Sequence, residues 1–306
     1  MKIAVMGSGG VGGYFGARLA QAGNDVSFIA RGAHLEAIKA KGLRVKSTRG
    51  DMHIHPARAT NDPAEVGVVD IVLFATKLYD TDTAGELCRP FIGDDTAVIS
   101  LLNGVDSEDQ LCRILGNEHV VGGVARISAE LAEPGVIHHH SPFASIEFGE
   151  LDGRQSGRLE AFLAAARQAQ IDAKHCDDIN AAIWRKFIML ASFSAITTLT
   201  RLPAGPIRET VQTRQLMEEA AREAGAVARA RGVKLHEQDV DAVIEFMHAL
   251  PDTMKSSMLM DLERGSRLEL EWLSGAVCRL GAEYGVQTPV HRVVLAALMP
   301  FANGRG

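Results

Sequence analysis

Three glycines near the N-terminus, Gly7, Gly9 and Gly12, have the spacing G-x-G-x-x-G. They follow the apolar run Ile3 to Met6 and precede a segment whose small and apolar residues recur at helical spacing. In such a strand–turn–helix unit the glycines allow a tight turn, close approach of a pyrophosphate, and close packing of helix on strand. The helix N-terminus adds unpaired amides and the positive end of its dipole. The pattern predicts a dinucleotide site formed by Gly7, Ser8, Gly9, Gly10, Val11 and Gly12.

Arg31 follows the second predicted strand, Val26 to Ala30, where the residue that selects the cofactor usually lies. NAD enzymes commonly have Asp or Glu there to bind the ribose 2′-hydroxyl, but this chain has Arg31 and no carboxylate after it until Glu36. A guanidinium matches a 2′-phosphate in charge and in planar geometry. The sequence therefore favours NADP(H); the alternative is a solvated surface arginine.

Further apolar runs alternate with helical segments after Arg31 and predict a doubly wound, mostly parallel sheet. They are residues 68–76, 97–102 and 120–124. Lys77 and Asn103 come directly after the first two runs. Because ligands collect at the carboxyl ends of parallel strands, both residues are predicted to join the cofactor site.

The sequence of residues 134–150 indicates a pair of strands joined by a turn, and that of Ile171 to Cys176 a last strand. Three adjacent histidines in the first of these segments, His138 to His140, suggest a metal site. Consecutive side chains of a strand point to opposite faces, however, so three neighbours do not converge on one ion. We predict no metal site.

From Asp177 the sequence changes to helical segments bounded by Gly or Pro. The predicted helices cover 179–199, 210–231, 236–248, 253–264 and 268–284, with a short one from Pro289 and a break at 201–206. The prediction is an α/β domain over residues 1–176 and an all-helical domain over residues 177–306.

Composition limits the classes of function. The 306 residues are 46% hydrophobic and carry a net charge of −6, which argues against non-specific nucleic-acid binding. Four scattered cysteines indicate reduced thiols. There is no signal-peptide pattern, and the longest apolar stretch, Phe187 to Leu199, is too short for a bilayer. We expect a cytoplasmic protein with no membrane or nucleic-acid partner.

Lys186 lies inside an otherwise apolar helical segment, followed on the same face by Leu190 and Ser194, with Thr197 close to that line. It is either a snorkelling surface lysine or a cation held at a cleft. Glu269 belongs to a Ser-x-x-Glu pattern ahead of an apolar run, which is typical of a capping box, and Glu271 competes with it as a functional carboxylate.

Together these motifs resemble the ketopantoate reductase (2-dehydropantoate 2-reductase) family over the whole chain. The motifs are the glycine loop with Arg31, Ala-Thr-Lys77, Leu-Leu-Asn103-Gly, Trp184-Arg-Lys186-Phe, Ser256-Ser257-Met-Leu-Met-Asp, and Glu269 ahead of Trp272-Leu-Ser-Gly. The resemblance implies a Rossmann-like dinucleotide-binding domain followed by an all-α domain of the 6-phosphogluconate dehydrogenase C-terminal type. It also implies reduction of the 2-oxo acid 2-dehydropantoate to (R)-pantoate with NADPH, in pantothenate biosynthesis.

By the same resemblance, Lys186 matches the catalytic lysine that protonates the substrate carbonyl. Glu269 matches the carboxylate that holds the substrate's terminal hydroxyl, and Ser257 a contact to its carboxylate. Asn103 matches a residue between nicotinamide ribose and substrate, and Lys77 and Arg31 match the cofactor-phosphate side.

The chain departs from the family at the substrate side. Leu190 and Ser194 occupy the substrate-binding positions where asparagines are usual, and Asp106 stands where a glycine is usual. A leucine cannot replace the hydrogen bonds of an amide, each worth ~1–3 kcal/mol if a partner is left unpaired. The substrate is therefore predicted to be 2-dehydropantoate; the alternative is a different 2-oxo acid or related carbonyl compound, such as one with a less polar tail.

Two other classes remain open. A β-hydroxyacid dehydrogenase would need a Lys-x-x-Asn pattern, but Met189 occupies the asparagine position. A non-enzymatic NADP(H)-binding regulator would bind the cofactor without turnover, and the retained Lys186 and Glu269 argue against it. A homodimer through the helical domain is a further hypothesis.

Overall fold

The computed structural model describes residues 1 to 304, which form two compact units. The first combines Met1–Leu102 with Ser107–Ile179, and the second combines Asn103–Asp106 with the chain from Asn180 onward. The first unit is a mixed sheet with helices and the second is helical, which confirms the predicted fold class. That four residues of the first half group with the helical unit was not predicted.

The sheet of the first unit has ten strands in the order β4-β3-β9-β8-β7-β6-β1-β2-β5, with β10 paired to β9. Its centre, β7-β6-β1-β2, is parallel and buried except at the first residues of β1 and β2, as expected for strands covered on both faces. The strands are β1 Lys2–Met6, β2 Asp25–Ile29, β3 Leu43–Ser47, β4 Met52–Ile54, β5 Arg58–Thr60, β6 Ile71–Phe74, β7 Ala97–Ser100, β8 Val120–Glu133, β9 Val136–Glu150 and β10 Asp172–His175.

Helix α1 packs against this sheet through glycines. A Cβ at Gly16 would lie 2.7 Å from the Phe28 ring and 2.8 Å from Val5, so only a glycine allows this approach. The helices of the first unit are α1 Gly10–Gln21, α2 Gly32–Lys41, α3 Thr81–Leu87, α4 Ser107–Leu115 and α5 Gly157–Gln168.

The predicted turn inside residues 134–150 is wrong. Residues Val136–Glu150 form one long strand, β9, which pairs antiparallel with β8 after a turn at Gly135, where φ is +81°. The alternation of buried and exposed residues shifts by one position at Pro142, because the proline lies at an irregularity of the pairing, between the Ile127 and Ala129 registers. A proline is tolerated there because no ladder bond is needed.

The second unit consists of helices. They are α6 Ile179–Thr200, α7 Ala204–Glu209, α8 Val211–Ala230, α9 Glu237–His248, α10 Ser257–Arg264, α11 Ser274–Tyr284 and α12 Pro289–Leu298. Three predicted bounds are wrong. The break at 201–206 contains the start of α7, and the predicted helix from 268 begins only at Ser274. The predicted helix from 253 begins only at Ser257, because the Ser256 side chain accepts from the Leu259 N–H and caps it.

Helix α6 is the one helix among the described residues that is long and apolar enough to cross a membrane by length and composition. It has 22 residues, more than the apolar stretch seen in the sequence. Of its most apolar window, 72% is buried inside the protein, which is typical of a core helix.

Candidate functional site

The glycine loop between β1 and α1 contains glycines that the protein's own packing requires, among them Gly7 and Gly12. Gly7 has φ +92°, and a Cβ there would lie 2.7 Å from the carbonyl oxygen of Ala75. A Cβ at Gly12 would lie 2.2 Å from the carbonyl oxygen of Gly7. Both distances are far below van der Waals contact, so these positions fix the turn and the approach of the helix.

Gly9 differs from these two, because a Cβ there would meet no protein atom within 4 Å. Its glycine is therefore not required by the fold but leaves open space in front of the first turn of α1. Nearby, the Thr76 hydroxyl oxygen is buried without a hydrogen-bond partner among the described residues, and the Thr76 backbone lies beside Gly7. Open space, helix N-terminal amides and an unpaired hydroxyl fit a dinucleotide phosphate.

Ser8 and His34 fix the loop between these glycines. The Ser8 N–H and hydroxyl both donate to the carbonyl of Ile29, at 3.2 and 3.0 Å. His34 Nε2 lies 2.8 Å from the Ser8 carbonyl, and the Gly135 N–H donates to His34 Nδ1 at 2.9 Å. Burial lowers the pKa of His34 from its ordinary value. The sequence analysis missed His34, since no local pattern connects it to residue 8.

Arg31 directly precedes α2 and has an extended backbone conformation. Its side chain is 76% exposed. Its guanidinium is 3.7 Å from the carboxylate of Asp80, a pairing that sequence reasoning missed. Lys77 is exposed and immediately precedes the short 3-10 helix Leu78–Asp80. The structure thus places Arg31 and Lys77 in the same unit as the glycine loop.

Asn103 is half-buried, comes three residues after β7, and groups with the helical unit. In the same unit, the Asp106 carboxylate pairs with Arg279 at 2.5 Å. Asp106, one of the three residues that depart from the expected pattern, therefore has a partner 173 positions away. Sequence spacing gave no signal for it.

Buried polar residues of the α/β unit precede and follow residues 103–106 in the chain. The hydroxyl oxygens of Ser100 and Ser107 are 3.1 Å apart, and Ser107 donates to the Glu108 carboxylate at 3.0 Å. Burial raises the pKa of Glu108 to about 7. Glu108 is thus an ionisable group that titrates near neutral pH and that the sequence analysis did not single out.

In the helical unit, α6 carries Lys186, Leu190 and Ser194 as predicted. Lys186 is half-buried and has a partner, Leu190 is partly exposed, and Ser194 is only 1% exposed. The apolar face around Lys186 explains how a cation can be held in a partly dehydrated setting.

A chain of hydrogen bonds links α6 to the N-terminus of α10. The Thr197 hydroxyl donates to the Phe193 carbonyl at 2.6 Å, and its oxygen lies 2.7 Å from the hydroxyl oxygen of Ser256. Ser256 in turn accepts from the Leu259 N–H at 3.1 Å. With Thr197 already donating, Ser256 is the donor between the two hydroxyls. Ser257, the first residue of α10, is exposed.

Glu269 is 6% exposed, has a partner, and lies in a non-helical turn before α11. The capping-box interpretation of Ser266 and Glu269 is wrong, since α11 begins only at Ser274. The Ser266 N–H donates instead to the carbonyl of Asp261, and the Glu269 carbonyl accepts from the N–H groups of Trp272 and Leu273. Glu271 is exposed. Glu269 is therefore a buried carboxylate that lies outside the helices of this unit.

The three adjacent histidines divide between the two faces of β9. His139 is buried, with Nδ1 2.8 Å from the Ser47 hydroxyl and its ring 4.5 Å from that of Tyr14. His138 and His140 share the other face, with ring centroids 4.2 Å apart. Among the described residues, no group of three His, Cys, Asp or Glu side chains is arranged to hold a metal ion.

Comparison with known proteins gives a family match over most of the chain. The family described as "Ketopantoate reductase PanE/ApbA" matches residues 3–153, and "Ketopantoate reductase PanE/ApbA C terminal" matches residues 178–302. A relative from Bacillus subtilis, an uncharacterized oxidoreductase, is 33% identical over 98% of this chain and 99% of its own length.

Two solved structures are similar throughout. A 2-dehydropantoate 2-reductase from Geobacter metallireducens is 32% identical, with a TM-score of 0.90 over 98% of this chain and 99% of that one. D-mandelate dehydrogenase, in a ternary structure with NADH and anilino(oxo)acetate, is 25% identical, with a TM-score of 0.88 over 99% and 98%.

Proposed function

Because this chain belongs to the ketopantoate reductase family, we propose that it reduces 2-dehydropantoate to (R)-pantoate with NADPH. The observation that carries the proposal is Lys186, a lysine half-buried in the apolar helix α6 and retained in a unit that also buries Glu269. Family membership supports an oxidoreductase that uses a nicotinamide cofactor. The choice of NADPH rests on Arg31, and the choice of substrate on the family's name and motifs.

The bound nicotinamide supplies the hydride for C2 of the 2-oxo acid. Residues of the glycine loop bind the pyrophosphate through backbone amides, and Arg31 and Lys77 provide positive charge for the remaining phosphate. Lys186 stabilises the negative charge that develops on the carbonyl oxygen and donates its proton there. Glu269 accepts a hydrogen bond from the substrate's terminal hydroxyl, and Ser257 donates to its carboxylate.

The proposal is tested by NADPH oxidation with 2-dehydropantoate, for the native protein and for Lys186→Ala. We expect kcat of the variant to fall roughly 10²–10⁴-fold while NADPH binding stays within about twofold. Arg185→Ala is the matched control, because Arg185 is the preceding residue of α6 and only pairs with Asp239 at 3.5 Å. Near-native turnover by Lys186→Ala would remove the role given to Lys186. NADPH binding without turnover of any 2-oxo acid would favour a regulator.

A second candidate is reduction of a 2-oxo acid with an apolar or aromatic tail. It is favoured by Leu190, whose partly exposed side chain replaces an amide on the Lys186 helix, and by the similarity to D-mandelate dehydrogenase. The test compares 2-dehydropantoate with phenylglyoxylate, using both NADPH and NADH. If the apolar substrate is native, Leu190→Asn lowers kcat/KM for it and raises kcat/KM for 2-dehydropantoate. A higher kcat/KM of the native enzyme for 2-dehydropantoate than for phenylglyoxylate would dismiss this candidate.

A further inference from the structure

His34 joins the glycine loop to the turn between β8 and β9. Its Nε2 atom lies 2.8 Å from the carbonyl oxygen of Ser8, which can only accept, so Nε2 carries the proton. Its Nδ1 atom accepts from the Gly135 N–H at 2.9 Å, which requires Nδ1 to be unprotonated. Both bonds together define one neutral tautomer.

The bond to the Ser8 carbonyl also determines where the next amide points. The Ser8–Gly9 peptide is trans, and in a planar trans peptide the C=O and N–H groups point in opposite directions. Holding the Ser8 oxygen toward His34 therefore turns the Gly9 N–H away from it. Within residues 1 to 304 this N–H donates to no protein acceptor, and a Cβ on Gly9 would meet no atom within 4 Å.

The imidazole ring is itself held from outside the loop. The Gly135 carbonyl accepts from the Arg44 N–H at 2.9 Å, and a Cβ on Gly135 would lie 3.0 Å from Cβ of Ala37 in α2. The turn is therefore fixed against β3 and α2, and it fixes Nδ1 of His34. Burial, which lowers the pKa of His34, keeps the ring in the neutral form that both bonds need.

We propose that His34 is a positioning residue for the cofactor: by holding the Ser8 carbonyl it orients the Gly9 N–H toward the pyrophosphate. The inference rests on the proposed use of a nicotinamide cofactor. His34 touches no reacting atom, so it acts on cofactor affinity and not on the chemical step. Without the His34 side chain the Ser8–Gly9 peptide is free to rotate. The Gly9 amide, which the native protein orients in advance, is then ordered only when the cofactor binds.

The experiment compares His34→Leu, which removes donor and acceptor at similar volume, with His34→Gln, whose amide supplies one of each. His53→Ala is the matched control, because His53 Nε2 is likewise 2.8 Å from a backbone carbonyl, that of Lys41, in the same unit. We expect NADPH to bind His34→Leu about tenfold more weakly, with kcat at saturating cofactor within about twofold of native. His34→Gln should recover most of the affinity, and His53→Ala should match the native protein. Without cofactor the Gly9 amide, which donates to no acceptor among the described residues, should exchange freely in both proteins, and at equal NADPH concentration its exchange should slow more in the native protein than in His34→Leu.

Native-like NADPH affinity in a folded His34→Leu, or an equal loss in His53→Ala, overturns the inference. Should His34→Leu not fold, the native protein still decides, because absence of protection of the Gly9 amide by NADPH overturns it as well. If the native protein bound neither NADPH nor NADH, the proposed function would fail. The positioning role, which needs a bound cofactor, would fail with it, whereas failure of the inference alone leaves NADPH binding by the native protein intact.

Discussion

In the α/β unit the groups available to a ligand belong mainly to the backbone, whereas in the helical unit they belong to side chains. The glycine loop is shaped by steric limits at Gly7 and Gly12, where a single added carbon has no room. In the helical unit the corresponding polar groups are buried side chains, such as Glu269 and the hydrogen-bonded pair Thr197 and Ser256. Backbone geometry tolerates no substitution at a few positions, while a side-chain network tolerates any residue that keeps its donors and acceptors.

The largest expected effect is the difference in stability between substitutions at two glycines of the same loop. Gly12→Ala should lower the free energy of unfolding by roughly 3 kcal/mol or more, because its Cβ would lie 2.2 Å from a backbone oxygen. Gly9→Ala should cost under about 1 kcal/mol of stability, since its Cβ has open space, yet it should weaken NADPH binding. Urea unfolding and cofactor titration check both. Equal destabilisation by the two substitutions would contradict the distinction between structural and ligand-facing glycines.

Two buried groups, one in each unit, should give the free energy of unfolding opposite dependences on pH. Burial lowers the pKa of His291, in the helical unit, to about 4, so the unfolded state binds a proton that the folded state refuses. Stability should then fall by about 3 kcal/mol as pH drops from about 6.5 to 4. Glu108, in the α/β unit, has a folded pKa of about 7, so its contribution is complete below about pH 4.5 and is lost, also by about 3 kcal/mol, as pH rises to 7.

Tryptophan fluorescence can separate these effects, because both tryptophans, Trp184 and Trp272, lie in the helical unit. Unfolding followed by fluorescence should shift with acid, and circular dichroism should report both units. Because the pH ranges of Glu108 and His291 overlap and their contributions oppose each other, Glu108→Gln should make stability rise more steeply with pH between about 4.5 and 6.5 and should remove the loss of stability toward pH 7. If native and variant proteins showed the same pH dependence of stability, Glu108 would not be the titrating group.

A smaller effect concerns cofactor choice in the α/β unit. Arg31→Ala should weaken NADPH binding roughly tenfold and leave NADH binding nearly unchanged, because only NADPH has a 2′-phosphate for the guanidinium. Asp80→Asn should have the opposite sign, a gain of up to about threefold for NADPH, since it removes a carboxylate 3.7 Å from Arg31. Titrations of both cofactors measure the ratio. An NADH preference of the native protein would rule out the role assigned to Arg31.

The smallest expected effect tests the side-chain network of the helical unit. Thr197→Val keeps the shape but leaves the Ser256 hydroxyl without its acceptor, at about 1 kcal/mol. We expect a KM for the 2-oxo acid about five times higher, through displacement of Ser257, with NADPH affinity unchanged. Thr197→Ser should behave as native. A uniform loss of stability with unchanged KM would make Thr197 purely structural.

The local parts of the site could be predicted from the sequence, because their physical cause is local. The spacing of Gly7, Gly9 and Gly12 between a strand and a helix is complete within a dozen residues, and the position of Arg31 follows from the next strand. Long-range pairs could not be predicted: Thr197 with Ser256 and Asp106 with Arg279 are 59 and 173 positions apart. The single long strand β9 was missed because its irregular pairing accommodates Pro142.

By itself the sequence determined the alternation of strands and helices, the glycine turn, and the family, all of which follow from hydrophobic periodicity and backbone steric limits. Only the tertiary structure decided which polar groups are buried and with what partners. It showed that Glu269 does not belong to a capping box of α11, that Asp106 pairs with Arg279, and that His34 donates to the Ser8 carbonyl. The reason is that a hydrogen bond between distant residues exists only once the chain has brought them within about 3 Å, and no periodicity encodes that approach.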